Sequence, residues 1–256
     1  MLKKMSRWKK INLVCFLITV LCSASLIYVL GTMNLTAPFG KPWHLLPSIH
    51  EDSLSSTYVN RYHVLDYKPI MKNFFDSTRT NVYILVDAWG VPAQEDSLEK
   101  DFSVFASQPH KFALHQRLAN RTNHAEKVEF RNTVKESVYL FGGDSLEYNR
   151  SVYIKEIGFD KITFCNKCSD SVMLLRIDSL IKNDSLQLIA WTTQSSRLGE
   201  KDSLNKALVM IANFAKSHPD VHIVVQGSHR PILGSARTRK SYKSHWVPTV
   251  FLNEVR

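Results

Sequence analysis

A carboxylate at the end of a short apolar run is the first feature of this chain that could do chemistry. Val82-Tyr83-Ile84-Leu85-Val86 runs directly into Asp87, and Ala88-Trp89-Gly90 follows, with Gly90 permitting a turn that a side chain would resist. An acid delivered by the carboxyl end of a buried strand is placed to hold a metal or a substrate, because ligands of open parallel sheets collect at that edge. Its plainer duty would be to cap the helix that follows. A second reactive pair is Cys165-Asn-Lys-Cys168. Outside the cytoplasm a local disulfide is the expectation for it. A thioredoxin-type redox motif would open a helix at the first cysteine, and a zinc site would need another pair, whereas Cys15 and Cys22 lie in an apolar N-terminal run.

Holding Asp87 at such an edge requires a sheet, and the chain supplies its parts. Residues 82–86, 161–165, 186–192 and 221–226 read as strands, while 97–107 and 146–157 read as helices, with a further helix possible near 66–75. Leu204, Ala207, Leu208, Ile211 and Ala215 recur at helical spacing, with Asp202 or Ser203 as the natural N-cap. Strand, helix and strand in alternation imply parallel pairing through crossovers, hence an α/β three-layer sandwich around a mostly parallel sheet. Asp-Ser-Leu occurs six times, beginning at 52, 96, 144, 178, 184 and 202, at irregular intervals that exclude a solenoid.

At 256 residues and 44% hydrophobic, the chain can bury one sizeable core. Lys and Arg outnumber Asp and Glu by 33 to 23, and the net charge of +10 favours anionic partners. No zinc-finger spacing, Gly-rich phosphate loop or aromatic-basic RNA motif is present, so nucleic acid is not the expected partner. Lys3, Lys4, Arg7, Lys9 and Lys10 precede an uncharged run over 11–30, about the length of a membrane-spanning helix. Apolar residues continue past the small residues Ser23-Ala24-Ser25, which favours a retained anchor over a cleaved signal peptide. The expected organisation is a basic cytoplasmic tail (1–10), a transmembrane anchor (11–31), a Pro- and aromatic-bearing juxtamembrane linker (32–80) and an α/β domain (81–256). The basic flank places that domain outside the cytoplasm, as in a single-pass protein of the bacterial inner membrane.

NVYILVDAWG resembles the opening strand of the sulfatase-like branch of the alkaline phosphatase superfamily, the branch of lipoteichoic acid synthases and phosphoglycerol or phosphoethanolamine transferases, where an acid precedes Ser-Trp-Gly. Further stretches fall in that family's order. Thr122-Asn-His-Ala-Glu126, continued by Phe130-Arg131, is similar to the segment in which a nucleophilic Thr lies four residues before a Glu. Tyr148-Asn149-Arg150 with Tyr153 and Gly158-Phe159 resembles its "Tyr-Asp-Arg, Tyr, Gly-Phe" element. Trp191-Thr-Thr-Gln-Ser-Ser-Arg197 resembles "Trp-x-Thr-x-Asn-Thr-His", and Val224-Val-Gln-Gly-Ser-His-Arg-Pro231 resembles "Val-x-Gly-Asp-His-x-Pro". Val247-Pro248-Thr-Val-Phe-Leu252 looks like the family's closing strand.

The resemblance implies a divalent cation, Mn, Zn or Mg, that holds a Thr as its alkoxide for attack on phosphorus or sulfur, with water or an acceptor resolving the covalent intermediate. A hydroxyl is a poor nucleophile at neutral pH, and a hard cation lowers its pKa while screening the anionic ester. Carried over by position, Asp87 would be the first-strand metal ligand, Thr122 the nucleophile and a ligand, and His229 the ligand after a later strand, with Ser228 beside it in the metal set; Arg197, Arg230 and a spare His245 are the candidates for the substrate side. Two departures stand out. The family's Asp-His pair reads Ser228-His229, and its substrate-side His reads Arg197. Losing a carboxylate weakens the hold on a hard cation, whereas Arg197 and Arg230 can each grip an oxyanion bidentately. Two functions therefore follow from the sequence. One is a membrane-anchored hydrolase or transferase acting on a phosphate or sulfate ester of an anionic envelope lipid or glycan, and the other is a catalytically degenerate relative with a binding or accessory role.

Overall fold

The computed structural model describes residues 16, 18–23, 25, 53–130, 135–143, 157–182, 186–194, 201–232 and 236–253. They fall into two units, Met1–Ser53 and Leu54–Arg256. In the first, residues 16, 18–23 and 25 are helical and exposed. No helix of the described residues is long and apolar enough to cross a membrane, and most of the expected anchor lies outside them.

The second unit is built on eight strands: β1 (His63–Leu65), β2 (Asn81–Val86), β3 (His110–Gln116), β4 (Ser137–Gly143), β5 (Lys161–Asn166), β6 (Leu188–Thr192), β7 (His222–Gly227) and β8 (Trp246–Leu252). They form one sheet in the order β1-β3-β8-β7-β2-β6-β4-β5. Every pairing is parallel except those of β8, which runs antiparallel to both β3 and β7. The sheet is mostly parallel, as expected, with its closing strand alone reversed. β2 and β7 are buried at every residue, as strands covered on both faces must be.

The helices are α1 (Ser56–Arg61), α2 (Met71–Phe74), α3 (Glu95–Ser103), α4 (Thr122–Phe130), α5 (Asp170–Ile181), α6 (Lys201–Ser217) and α7 (Ala236–Lys240). Alternate strand residues point to opposite faces. Val82, Ile84 and Val86 therefore pack with Leu98 and Phe102 of α3, Ile177 of α5 and Leu208 and Ile211 of α6, while Tyr83 and Leu85 pack with Ala125 and Phe130 of α4 and with Ile70. Helices on both faces make three layers.

Several sequence readings shift. The helix expected near 66–75 is only α2, and that near 97–107 runs earlier, as α3. α6 already runs from Lys201, so Asp202 and Ser203 lie in its first turn rather than at its cap. The helix expected over 146–157 falls almost entirely outside the described residues. The sheet unit begins at Leu54, and β1, from the stretch read as linker, pairs with β3 as an edge strand. Cys165 at the end of β5 is disulfide-bonded to Cys168.

Candidate active site

β2 ends at Val86, and Asp87 emerges between the carboxyl ends of β6 and β7. Its N–H donates to Thr193 Oγ1 at 3.0 Å, while the Ser228 N–H donates to the Val86 carbonyl at 2.9 Å. The turn that carries the acid is strained, with Ala88 at φ 55° in the left-handed region, a departure that clusters at functional sites. Two glycines let this turn touch the one after β7. A Cβ on Gly227 would lie 1.9 Å from the Trp89 carbonyl oxygen, and one on Gly90 would lie 2.6 Å from Arg230 Cα. Backbone thus packs on backbone, bringing Ser228 and His229 against Asp87.

α4 supplies the fourth member from its first residue. Thr122 Oγ1 donates to Asp87 Oδ1 at 2.7 Å and lies 3.1 Å from His229 Nε2. Ser228 Oγ donates to the same Asp87 oxygen at 2.9 Å, and His229 Nε2 lies 3.2 Å from it. Asp87, Ser228 and His229 are all buried. Burial pushes the Asp87 carboxyl up, but hydrogen bonding from and attraction to His229, with hydrogen bonds from Thr122 and Ser228, outweigh it and hold the carboxyl below its ordinary value.

The tautomer of His229 follows from its other nitrogen. Nδ1 lies 2.6 Å from the Arg230 carbonyl oxygen, which can only accept, so Nδ1 carries the proton. In neutral imidazole Nε2 is then a lone pair facing Thr122 and Asp87. Two acceptors 3.2 Å apart repel unless a cation, a proton or a metal ion, lies between them.

The four side chains offer the oxygen and imidazole donors that suit a divalent ion, and each stands 2.7 to 3.2 Å from a neighbour, at hydrogen-bonding distance. A ligating His commonly donates its other N–H to a backbone carbonyl, as His229 does. In charge the fit is thin, with one carboxylate, one imidazole and two hydroxyls. Among the described residues there is no group of three or more His, Cys, Asp and Glu side chains placed to hold a metal.

The Arg230 guanidinium donates to the Arg239 carbonyl at 3.1 Å, and His245 Nδ1 pairs with the Arg117 carbonyl at 3.0 Å. Arg197 lies outside the described residues. Glu126, one helical turn beyond Thr122, sits behind the cluster, its Oε1 accepting from Tyr139 at 2.5 Å and from Thr192 at 2.9 Å.

Sequence reasoning did not find a second buried network below the site. Arg117 donates to Glu129 at 2.6 Å and also to the Gln226 side-chain oxygen, which accepts from Tyr83 at 2.6 Å. The Gln226 amide meets His115 Nδ1 at 2.7 Å. The available signal was polar residues within otherwise apolar strands, His115 in β3 and Gln226 in β7.

The domain is an α/β sandwich in which a hydroxyl, a carboxylate and an imidazole meet at the carboxyl edge of the sheet, where ligands of such folds collect. Among solved structures the chain is similar to the lipoteichoic acid synthase LtaP of Listeria monocytogenes, at 11% identity and TM-score 0.50 over 70% of this chain and 67% of that one. It is also similar to the Streptococcus pyogenes phosphoglycerol transferase GacH in complex with sn-glycerol-1-phosphate, at 14% identity and TM-score 0.47 over 69% of this chain and 68% of that one. No family model matches the chain, and no curated protein matches it in sequence. The domain shares its fold with the lipoteichoic acid synthase LtaP.

Proposed function

We propose that the domain is a phosphate-ester hydrolase or transferase whose nucleophile is Thr122. The observation that carries this reading is the meeting of Thr122 Oγ1 with Asp87 Oδ1 at 2.7 Å and His229 Nε2 at 3.1 Å. Asp87, Thr122, Ser228 and His229 would hold a divalent ion, which when bound lowers the pKa of the hydroxyl and screens the ester's charge. Thr122 Oγ1 forms the bond to phosphorus. Its proton passes to Asp87 Oδ1, which already accepts it at 2.7 Å, and from there to the departing alcohol, while the His229 Nε2 lone pair, fixed by the bond from Nδ1 to Arg230, would be kept for the ion. The departing alcohol leaves phosphate on Thr122, and water or an acceptor hydroxyl then releases it. Arg230, next to His229 in the chain, and Arg197, by the family resemblance, are suited to the non-bridging oxygens. The substrate we favour is an anionic lipid or glycan ester of the envelope, met by a chain anchored through residues 11–31 with this domain outside the cytoplasm. Sulfate esters remain a second substrate class for the same geometry.

Ser228 favours a second reading, a binding or accessory protein on the same fold, because a neutral hydroxyl stands where the resembling family has a carboxylate. One experiment separates them. Incubated with an aryl phosphate and manganese or zinc, then quenched in acid, the protein should carry phosphate on the peptide containing Thr122, and Thr122→Ala should carry none. Absence of both phosphopeptide and released phenol would favour the accessory role.

A further inference from the structure

Glu126 lies four residues after Thr122 in the sequence, and no step of the reaction uses it. Its side chain is fully buried, as are the two hydroxyls it meets, those of Tyr139 in β4 and Thr192 at the end of β6. Tyr139 donates to Glu126 Oε1 at 2.5 Å and Thr192 Oγ1 donates to the same oxygen at 2.9 Å, with the two hydroxyls 2.7 Å apart, so three oxygens close a triangle between a helix and two strands. The surroundings are apolar, since Ala125, Phe130, Phe141 and Ala190 belong to the cluster that holds Tyr139. Burying a carboxyl there costs more than burying an apolar side chain of similar length, so stability alone does not account for Glu126.

What the triangle joins is the nucleophile to its acid. Thr122 stands one turn above Glu126, about 6 Å along the helix axis and on nearly the same side. Thr193, the residue after Thr192, is clamped to β2 and its turn twice: its N–H donates to the Leu85 carbonyl at 2.9 Å, and its Oγ1 accepts from the Asp87 N–H at 3.0 Å. One line of bonds thus runs from the first turn of α4 through Glu126, Thr192 and Thr193 to the backbone of Asp87. A second polar anchor of α4, Glu129 on Arg117 at 2.6 Å, stands seven residues beyond Thr122, about 10 Å along the axis. Glu126 is the nearer of the two, and it ties the helix to the strand that flanks β2.

We propose that Glu126 is a positioning residue: its carboxyl oxygen, shared by Tyr139 and Thr192, sets the height and rotation of α4 at which Thr122 Oγ1 meets Asp87 Oδ1 and His229 Nε2. The inference rests on Thr122 being the nucleophile, and it adds the device that keeps that hydroxyl in reach. A displacement of about 1 Å can cost on the order of a hundredfold in rate. Glu126 touches no reacting atom and acts through Thr122.

The test is made on variants of the full chain. Glu126→Met fills the space with an apolar side chain and leaves the two hydroxyls bonded to each other, so the melting temperature should not fall. Its kcat for an aryl phosphate with manganese should nonetheless drop on the order of a hundredfold at unchanged KM. Glu126→Gln keeps an oxygen for both hydroxyls and should restore most of the rate, whereas Thr192→Val, which cuts the link from the β6 side, should lower it by less than Glu126→Met does. A readout that needs no turnover is the imidazole nitrogen resonance of His229 Nε2, which faces the Thr122 hydroxyl at 3.1 Å. Glu126→Met should move it as Thr122→Ala does, and should move it no further in a chain that already carries Thr122→Ala. A Glu126→Met protein with the parent's resonance and rate would overturn the proposal, as would one whose melting temperature falls while the resonance moves equally with and without Thr122, the mark of a merely structural residue. A Glu126→Gln protein as impaired as Glu126→Met would also overturn it, giving the carboxyl a role in charge. A parent chain without turnover would refute the proposed function alone, and the resonance would still decide the placement.

Discussion

Two buried polar clusters lie within a few residues of each other, and they are balanced in opposite ways. In the lower one Arg117 faces Glu129, the Gln226 amide joins His115 to Tyr83, and the Ile70 N–H closes the second Glu129 oxygen at 2.9 Å, so donors and acceptors nearly match. In the upper one the Thr122 and Ser228 hydroxyls and His229 Nε2 all crowd a single oxygen of Asp87. The first is paired side chain to side chain, with only Arg117 Nε left without a partner among its buried polar atoms. The second leaves a carboxylate, two hydroxyls and an imidazole facing one another at the sheet edge, an arrangement we propose a cation would complete.

The comparison breaks most visibly if the lower cluster is opened. Arg117→Ala leaves Glu129 buried without its cation, and such a loss should cost about 3–5 kcal/mol in denaturant unfolding. A cost below about 1 kcal/mol would show that the network is not the structural member of the pair. Gly227→Ala should cost about 3 kcal/mol, because its Cβ would meet the Trp89 carbonyl oxygen at 1.9 Å and the two turns must part. The same variant should lower any metal affinity, since it separates Asp87 from His229, and an unchanged unfolding midpoint would contradict the close packing.

Acid should act on the lower cluster first. Burial, only partly offset by Glu129 and reinforced by Arg117, pulls His115 down to about 4, and burial does the same to His222. The unfolded chain protonates both near their ordinary value of about 6.5 while the folded chain does not, so stability declines as pH falls from about 6.5 to about 4 and levels off below. For His115 alone the loss is at most roughly 3 kcal/mol. His115→Asn should flatten that limb of the curve, and an unaltered slope would assign the loss elsewhere. Asp87 acts in a lower window, its depressed carboxyl contributing stability that disappears only as pH drops through its folded value. Asp87→Asn should therefore have the smallest effect, about 1 kcal/mol at neutral pH, while abolishing metal binding. A loss as large as that of Arg117→Ala would make the upper cluster structural too.

How much of this was legible depended on distance along the chain. β2, β7 and the buried stripe of α6 were readable because apolar runs and helical spacing are local signals. β3 was missed, since HKFALHQ opens with exposed polar residues and carries His115 inward, and β4 was missed because SVYLFGG ends in residues that read as a turn. The reversed direction of β8 has no local signature, and neither does the pairing of β1 with the sheet. Asp87, Thr122, Ser228 and His229 could be proposed because each stands within a short motif and the motifs keep one order. Arg117 and Gln226 meet across 109 residues and belong to no motif, so only the folded chain brings them together.

The central claim is that Thr122 is armed by a cation that the other three residues hold weakly for want of a second carboxylate. It is tested most directly by comparing the parent, Ser228→Asp, Thr122→Ala and the double variant for bound manganese or zinc and for hydrolysis of an aryl phosphate and an aryl sulfate. Ser228→Asp adds an anionic oxygen beside His229, so metal affinity should rise at least tenfold, about 1.4 kcal/mol, and turnover should increase with it. The double variant should keep more metal than the parent and lose all turnover. Turnover that survives Thr122→Ala, or a Ser228→Asp protein that gains neither metal nor activity, would contradict the account.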